Sequence, residues 1–156
     1  MNPTFAANAG TADEICTRNV VFADRGMMLG EAARMMRSHH VGSLVVVEER
    51  APGLRIVVGI ITDRDIATAV VAADRDPHAF RVGDIMSADP VTARESDSLP
   101  DLLAVMRRKR VRRVPIVGTL GELLGIVTID DLITVLATQI QALAAAVGAA
   151  QRHEAG

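Results

Sequence analysis

Gly59-Ile60-Ile61-Thr62-Asp63-Arg64-Asp65 and Gly125-Ile126-Val127-Thr128-Ile129-Asp130-Asp131 are one pattern written twice, 66 positions apart. Each copy is a run of β-branched residues that stops on Thr-x-x-Asp. The run predicts a buried strand. The Thr-x-x-Asp predicts the start of a helix, with the threonine oxygen taking a backbone N–H and the acid reaching back. Upstream the duplication continues at a shift of 70: Ile15 meets Ile85, Thr17 meets Ser87, Val21 meets Val91, Met36 meets Met106, and Val41 meets Val111. The shift falls from 70 to 66 because the first copy has a hairpin loop four residues longer. An ordered match of this length identifies an internal repeat.

Both copies predict the same order of elements. A short extended piece (Val20–Ala23; Val91–Ala93) leads into a helix near Leu29–His39 or Leu99–Arg110. Ser98 is suited to cap the second of these helices, with Asp101 three residues on, and Pro100 sits in the first turn where its missing N–H costs nothing. A strand follows (Ser43–Val47; Val114–Val117), then a turn, a second strand (Ile56–Ile61; Leu123–Val127), and a helix opened by Thr62 or Thr128. Near-continuous apolar strands predict burial on both faces. The fold expected is α/β, with two pseudo-twofold-related β-α-β-β-α repeats packed as one body. Leu132, Leu136, Ile140, Leu143 and Val147 form one stripe on the last helix. That stripe either packs on its own domain or makes a dimer contact.

The two Thr-x-x-Asp stretches, with Val111-Arg112-Arg113-Val114-Pro115, resemble the tandem CBS domain pair, or Bateman module, of the stand-alone bacterial type. The resemblance covers roughly Asp13–Ala137. The organisation it implies is an N-terminal tail over 1–12, a first repeat over 13–75, a linker over 76–83, a second repeat over 84–137, and a helical extension and tail over 138–156. It also implies two ligand clefts. One is expected to use Val21, Phe22, Val41, Gly42, Ser43, Arg112, Arg113, Ile126, Thr128 and Asp131. The second is expected to use Thr62, Arg64, Asp65, Thr92 and Val111. By resemblance, threonine holds phosphate and aspartate the ribose diol, and the arginine pair marks the Thr128/Asp131 cleft as the stronger. The residues alone allow two roles for each Thr-x-x-Asp. It is a helix cap, and a helix N-terminus also attracts phosphate.

Composition narrows the functional classes. Hydrophobic residues make up 49% of the 156, enough for a proper interior, and the net charge of −2 gives no general attraction to DNA or to membranes. The run Arg107–Arg113 is the one dense basic patch. Its first part suits a helix C-terminus, and the absence of Trp and Tyr removes stacking platforms for bases, so nucleic acid is not the expected partner. Cys16 is alone and aligns with Met86, a core position rather than a nucleophile, and a reducing cytoplasmic compartment follows. Met1–Gly10 lacks the pattern of a secretory signal, and no apolar run is expected to cross a bilayer. His39 and His40 are adjacent, which suits a polar helix end better than a metal site. Asp63 and Asp65 have counterparts Ile129 and Asp131, which argues against an acid/base pair.

The function expected is a non-catalytic regulatory module that binds an adenine nucleotide (AMP, ADP or ATP) between the repeats. It requires no cofactor and no metal, and it acts as a homodimer on an unknown downstream protein. The alternatives are a protein-interaction adapter with empty clefts, a nucleic-acid binder through Arg107–Arg113, a sensor of S-adenosylmethionine, and, last, a small hydrolase.

Overall fold

A computed structural model describes residues 10–154. Positions 1–9 of the expected N-terminal tail, and 155–156 of the C-terminal one, lie outside the described residues. The first half runs α1 (Ala12–Ile15), β1 (Phe22–Asp24), α2 (Leu29–Ser38), β2 (Ser43–Ala51), β3 (Leu54–Thr62) and α3 (Asp63–Ile66). A π-helical turn over Ala67–Val71 continues α3. The second half runs α4 (Val82–Ile85), β4 (Ser87–Ala88), β5 (Ala93–Arg94), α5 (Leu99–Lys109), β6 (Arg113–Val117), β7 (Leu123–Thr128) and α6 (Ile129–Glu154). The predicted order of elements is present in both copies, with β2 and β3 extended further along their hairpin than their apolar runs.

The sheets are ordered β1-β2-β3-β4 and β5-β6-β7, with the first strand pair of each parallel and the hairpin antiparallel. Each half lends its leading segment to the other. β4 belongs to the second copy yet pairs with β3, placing Ser87 opposite Ile60. Thr17, its equivalent, exchanges both backbone hydrogen bonds with Ile126 at 2.9 and 3.0 Å. The cores follow the same exchange. Ala12, with Ile15 and Cys16, packs into the second-half core of Leu99, Leu102, Val114, Ile116, Val127 and Leu132. Val82, with Ile85 and Met86, packs into the first-half core around Leu29, Leu44, Val46 and Ile61.

This crossing explains the glycine that opens each repeated stretch. A Cβ on Gly59 would lie 2.5 Å from Met86 Sδ, and one on Gly125 would lie 2.7 Å from Cys16 Sγ. Glycine is required because another segment crosses there at contact distance. Burial pushes the Cys16 thiol above its ordinary pKa, the Asp13 and Asp131 carboxylates add to this, and Arg18 opposes it. The thiol is therefore protonated near neutrality and is a packing group, not a nucleophile.

Helix α6 splits the apolar stripe. Leu132 is fully buried in the core and Leu136 packs partly against it, whereas Ile140, Leu143 and Val147 are exposed. The expectation that no apolar run could span a bilayer is corrected by the same helix. Ile129–Gln151 is long and apolar enough, at a mean hydropathy of 1.7. Alanine, threonine and glutamine interrupt the apolar pattern without adding charge, so the run reads short while the helix is long. Its first turns are nevertheless committed to the core. Only the stretch after Leu136, about 23 Å at roughly 1.5 Å per residue, projects beyond the body, less than the roughly 30 Å of a hydrocarbon core.

Candidate functional site

Both Thr-x-x-Asp stretches form the same cap. The Thr62 N–H donates to Asp65 Oδ2 at 2.8 Å, the Thr62 hydroxyl donates to the same oxygen at 2.7 Å, and the Asp65 N–H donates to Thr62 Oγ1 at 3.1 Å. At the start of α6 the matching distances are 2.7, 2.8 and 3.2 Å for Thr128 and Asp131. One carboxylate oxygen does all the capping in each case. The other stays available to a partner from outside.

Each cap opens into a cleft between the halves. The Thr128/Asp131 cleft has a volume of about 260 Å³. Its walls are Thr17, Asn19, Val20 and Val21 from the leading segment, His40, Val41, Gly42 and Ser43 from the α2–β2 junction, and Ile126 and Arg113 from the second sheet. The Thr62/Asp65 cleft is larger, about 510 Å³. It is lined by Ile60, Asp63 and Arg64, by Ser87, Pro90 and Val91, and by Arg110, Val111, Arg112, Arg113 and Pro115.

The two lists are related by the repeat. Thr17, Val20, Val21, His40, Val41, Gly42 and Ser43 correspond at a shift of 70 to Ser87, Pro90, Val91, Arg110, Val111, Arg112 and Arg113. The structure thus brings Val21, Val41, Gly42, Ser43, Arg113, Ile126, Thr128 and Asp131 together, and separately Thr62, Arg64, Asp65 and Val111. Three expected residues lie elsewhere. Phe22 follows Val21 in an extended segment, so its side chain faces the other way, where Arg55 covers its ring at 4.5 Å from the centroid. Thr92, the equivalent of Phe22, is absent from the lining of the Thr62/Asp65 cleft. Arg112 lines the Thr62/Asp65 cleft and not the Thr128/Asp131 one, because it occupies the position that Gly42 holds in the other copy. Arg113 alone reaches both. Sequence reasoning missed Thr17, Asn19, His40, Ile60, Asp63, Ser87, Pro90, Val91, Arg110 and Pro115, and for His40 and Arg110 the shift of 70 was itself the available signal.

Electrostatically the clefts differ. Arg64, Arg110, Arg112 and Arg113 gather at the Thr62/Asp65 cleft beside the carboxylates of Asp63 and Asp65. Among the described residues the ion pairs within 4.0 Å are Arg18–Asp13 and Arg50–Glu48, so none of these four arginines is engaged with a carboxylate. The smaller cleft has Arg113, His40 and Asp131 among neutral walls of valine, isoleucine, threonine, serine and asparagine. The basic run is divided in space. Arg107, Arg108 and Lys109 lie in the exposed last turn of α5, and Arg110 to Arg113 line the cleft, with Arg110 and Arg112 at its exposed rim. Among the described residues no group of three His, Cys, Asp or Glu side chains is placed to hold a metal.

The site and fold define a class: a duplicated α/β module whose halves exchange their leading segments and share two symmetry-related clefts. The CBS domain family matches residues 12–72 and 82–138, and the chain belongs to it. Among curated relatives, the CBS domain-containing protein YhcV of Bacillus subtilis is 35% identical over 116 residues, covering 74% of this chain and 78% of the relative. For another relative at 35% identity, the chain spans 60% of that protein's length. Among solved structures, Hypoxic Response Protein I with two coordinated zinc ions superposes with a TM-score of 0.70 at 31% identity, covering 80% of this chain and 97% of that one. The CBS domain pair of protein MJ0100, solved in complex with 5'-methylthioadenosine and S-adenosyl-L-methionine, gives a TM-score of 0.72 at 26% identity over 83% and 97% of the two chains.

Proposed function

We propose that this chain is a non-catalytic regulatory module that binds adenine nucleotides between its repeats and works as a homodimer on a downstream protein. The observation that carries this reading is the set of four unpaired arginines around the Thr62/Asp65 cap. A phosphate chain fits that set, since guanidinium groups free of carboxylates are available for charge-assisted bonds. The free Asp65 oxygen suits the ribose hydroxyls. The adenine ring lies against Ile60, Val91 and Val111, because the cleft has no aromatic wall. This exchanges the order of the clefts expected from sequence: the Thr62/Asp65 cleft takes the nucleotide with more phosphates.

A second reading applies to the smaller cleft. Its one arginine and its valine and isoleucine walls favour an adenosyl compound of low charge, as in the complex of the MJ0100 pair. Isothermal titration with ATP, AMP and S-adenosylmethionine tests both readings. The expected result is tight ATP binding that weakens as phosphates are removed, and an additional site for the adenosyl compound. Acid extraction of the purified protein adds a cheap check, since a chain without Trp or Tyr absorbs little at 280 nm and a bound purine dominates near 260 nm. If there is no heat, no thermal shift and no extracted purine, the module is an adapter with empty clefts.

A further inference from the structure

Helix α6 is 26 residues long, and from Leu132 to Gln151 it carries no charged side chain. Most of that stretch is uncovered. Ile133, Ile140, Leu143 and Val147 are between 49% and 65% exposed. A helix this apolar and this bare calls for a covering surface. The pattern on it is specific. Ile133, Ile140 and Val147 recur every seven residues, and Leu136, Leu143 and Ala150 recur every seven on the adjoining position. These are the a and d positions of a heptad, with β-branched residues at a and leucine at two of three d positions, the arrangement that favours two parallel strands. The seam lies beside the face that Leu132 buries, with Leu136 on the border of both.

We infer that α6 pairs with α6 of a second copy as a short parallel coiled coil, in register through Ile133, Leu136, Ile140, Leu143, Val147 and Ala150. Charge supports self-pairing. In a parallel pair of identical helices each e position meets the partner's g, so a run of like charges there would repel. Here Ala137 and Ala144 stand at e and Gln139 and Ala146 at g, all neutral. A free helix must first form a costly nucleus. α6 has no such cost, since the Thr128/Asp131 cap and the packing of Leu132 have already formed its first turns. The parallel register sets the two Thr128/Asp131 caps at the same end of the dimer, so the partner copy brings a second cleft to the same side. The assembly does not depend on the nucleotide reading.

Multi-angle light scattering on the full chain, without added nucleotide, is expected to give a dimer, and Ile140→Glu with Leu143→Glu a monomer. Both positions are exposed, and an unchanged circular dichroism melt shows that the body is folded. A second variant reads the register: Val147→Cys in a Cys16→Ala background should form a disulfide dimer under mild oxidation, because a positions face each other in a parallel pair. A monomeric parent, or a dimer that survives the double substitution, overturns the inference. So does a dimer that the cysteine fails to cross-link, which means an antiparallel pair. Cosedimentation of the parent, but not the double variant, with phosphatidylcholine–phosphatidylglycerol vesicles would also overturn it, assigning the face to lipid.

Discussion

The two clefts are built on equivalent elements, and the exchanges that set their charge apart include Gly42 against Arg112, Ser43 against Arg113, His40 against Arg110, and Arg64, whose equivalent is Asp130, at the larger cleft alone. Cap, leading segment and strand register are otherwise shared, with Ser43 opposite Thr62 and Arg113 opposite Thr128 in the two hairpins. Duplication therefore supplied two identical frames, and charge distinguishes them afterwards. A cleft that acquires three cations in place of a glycine, a serine and a histidine is suited to a polyanion. Its sister is left with room for a smaller and less charged molecule.

The largest expected effect tests that charge difference directly. Arg110→Ala with Arg112→Ala removes two guanidinium groups that line the Thr62/Asp65 cleft and not the smaller one. Each charge-assisted contact is worth about 1.5–3 kcal/mol, so ATP affinity should fall at least about a hundredfold. Binding of the adenosyl compound at the smaller cleft should be unchanged. Titration calorimetry reads both, and equal losses at the two sites would erase the distinction between the clefts.

The caps give the next contrast. Asp65→Asn and Asp131→Asn keep an oxygen for the two capping bonds and put an NH2 donor where the free acceptor oxygen was. Each should lower affinity in its own cleft by about tenfold or more and leave thermal melting of the empty protein nearly unchanged. A variant that melts early and binds as well as the parent would reduce that carboxylate to a cap.

The glycines that start the two repeated stretches sharpen the comparison on the side of stability. Gly125→Ala drives a Cβ against Cys16, a short side chain whose Cβ is itself 3.1 Å away. Gly59→Ala meets the sulfur of Met86, which can swing aside, and then the Ser87 carbonyl at 3.0 Å. Overpacking of this kind costs about 1–3 kcal/mol, with Gly125→Ala at the upper end and Gly59→Ala at the lower. Urea unfolding of the two variants measures the order.

Much of this was legible from the repeat. Apolar periodicity located the strands and helices to within a few residues, and Thr-x-x-Asp announced both helix starts, since capping is a local matter between residues three apart. The exchange of leading segments was not legible, because no local preference says which sheet a short strand such as Ser87-Ala88 will join. The place of Arg112 was within reach: the shift of 70 equates it with Gly42, so it belongs to the cleft opposite Gly42's. Reading the arginines as a pair, rather than through the symmetry, sent Arg112 to the wrong side. The depth of α6 in the core could not be read from its apolar stripe, because Leu132 and Ile140 look alike until a partner surface is known.

The smallest predicted effect concerns the residues that close α2 and α5. His40 and Arg110 occupy equivalent positions and are both left-handed, at φ 54° and 56°. This conformation costs an L-residue roughly 1–2 kcal/mol, a cost that glycine avoids at about 0.5–1 kcal/mol of added chain entropy. Neither position carries glycine, and both side chains line a cleft, so the strain is retained at the clefts. Arg110→Gly and His40→Gly should therefore each stabilise the empty protein, by up to about 1 kcal/mol. The binding consequences should separate. Arg110→Gly should weaken ATP by about tenfold, the share of one charge-assisted contact, while His40→Gly should leave ATP binding intact, since His40 does not line the Thr62/Asp65 cleft. Denaturant melts with and without ATP measure both quantities on the same samples. A stabilised Arg110→Gly protein that binds ATP as the parent does would show that Arg110 merely ends its helix.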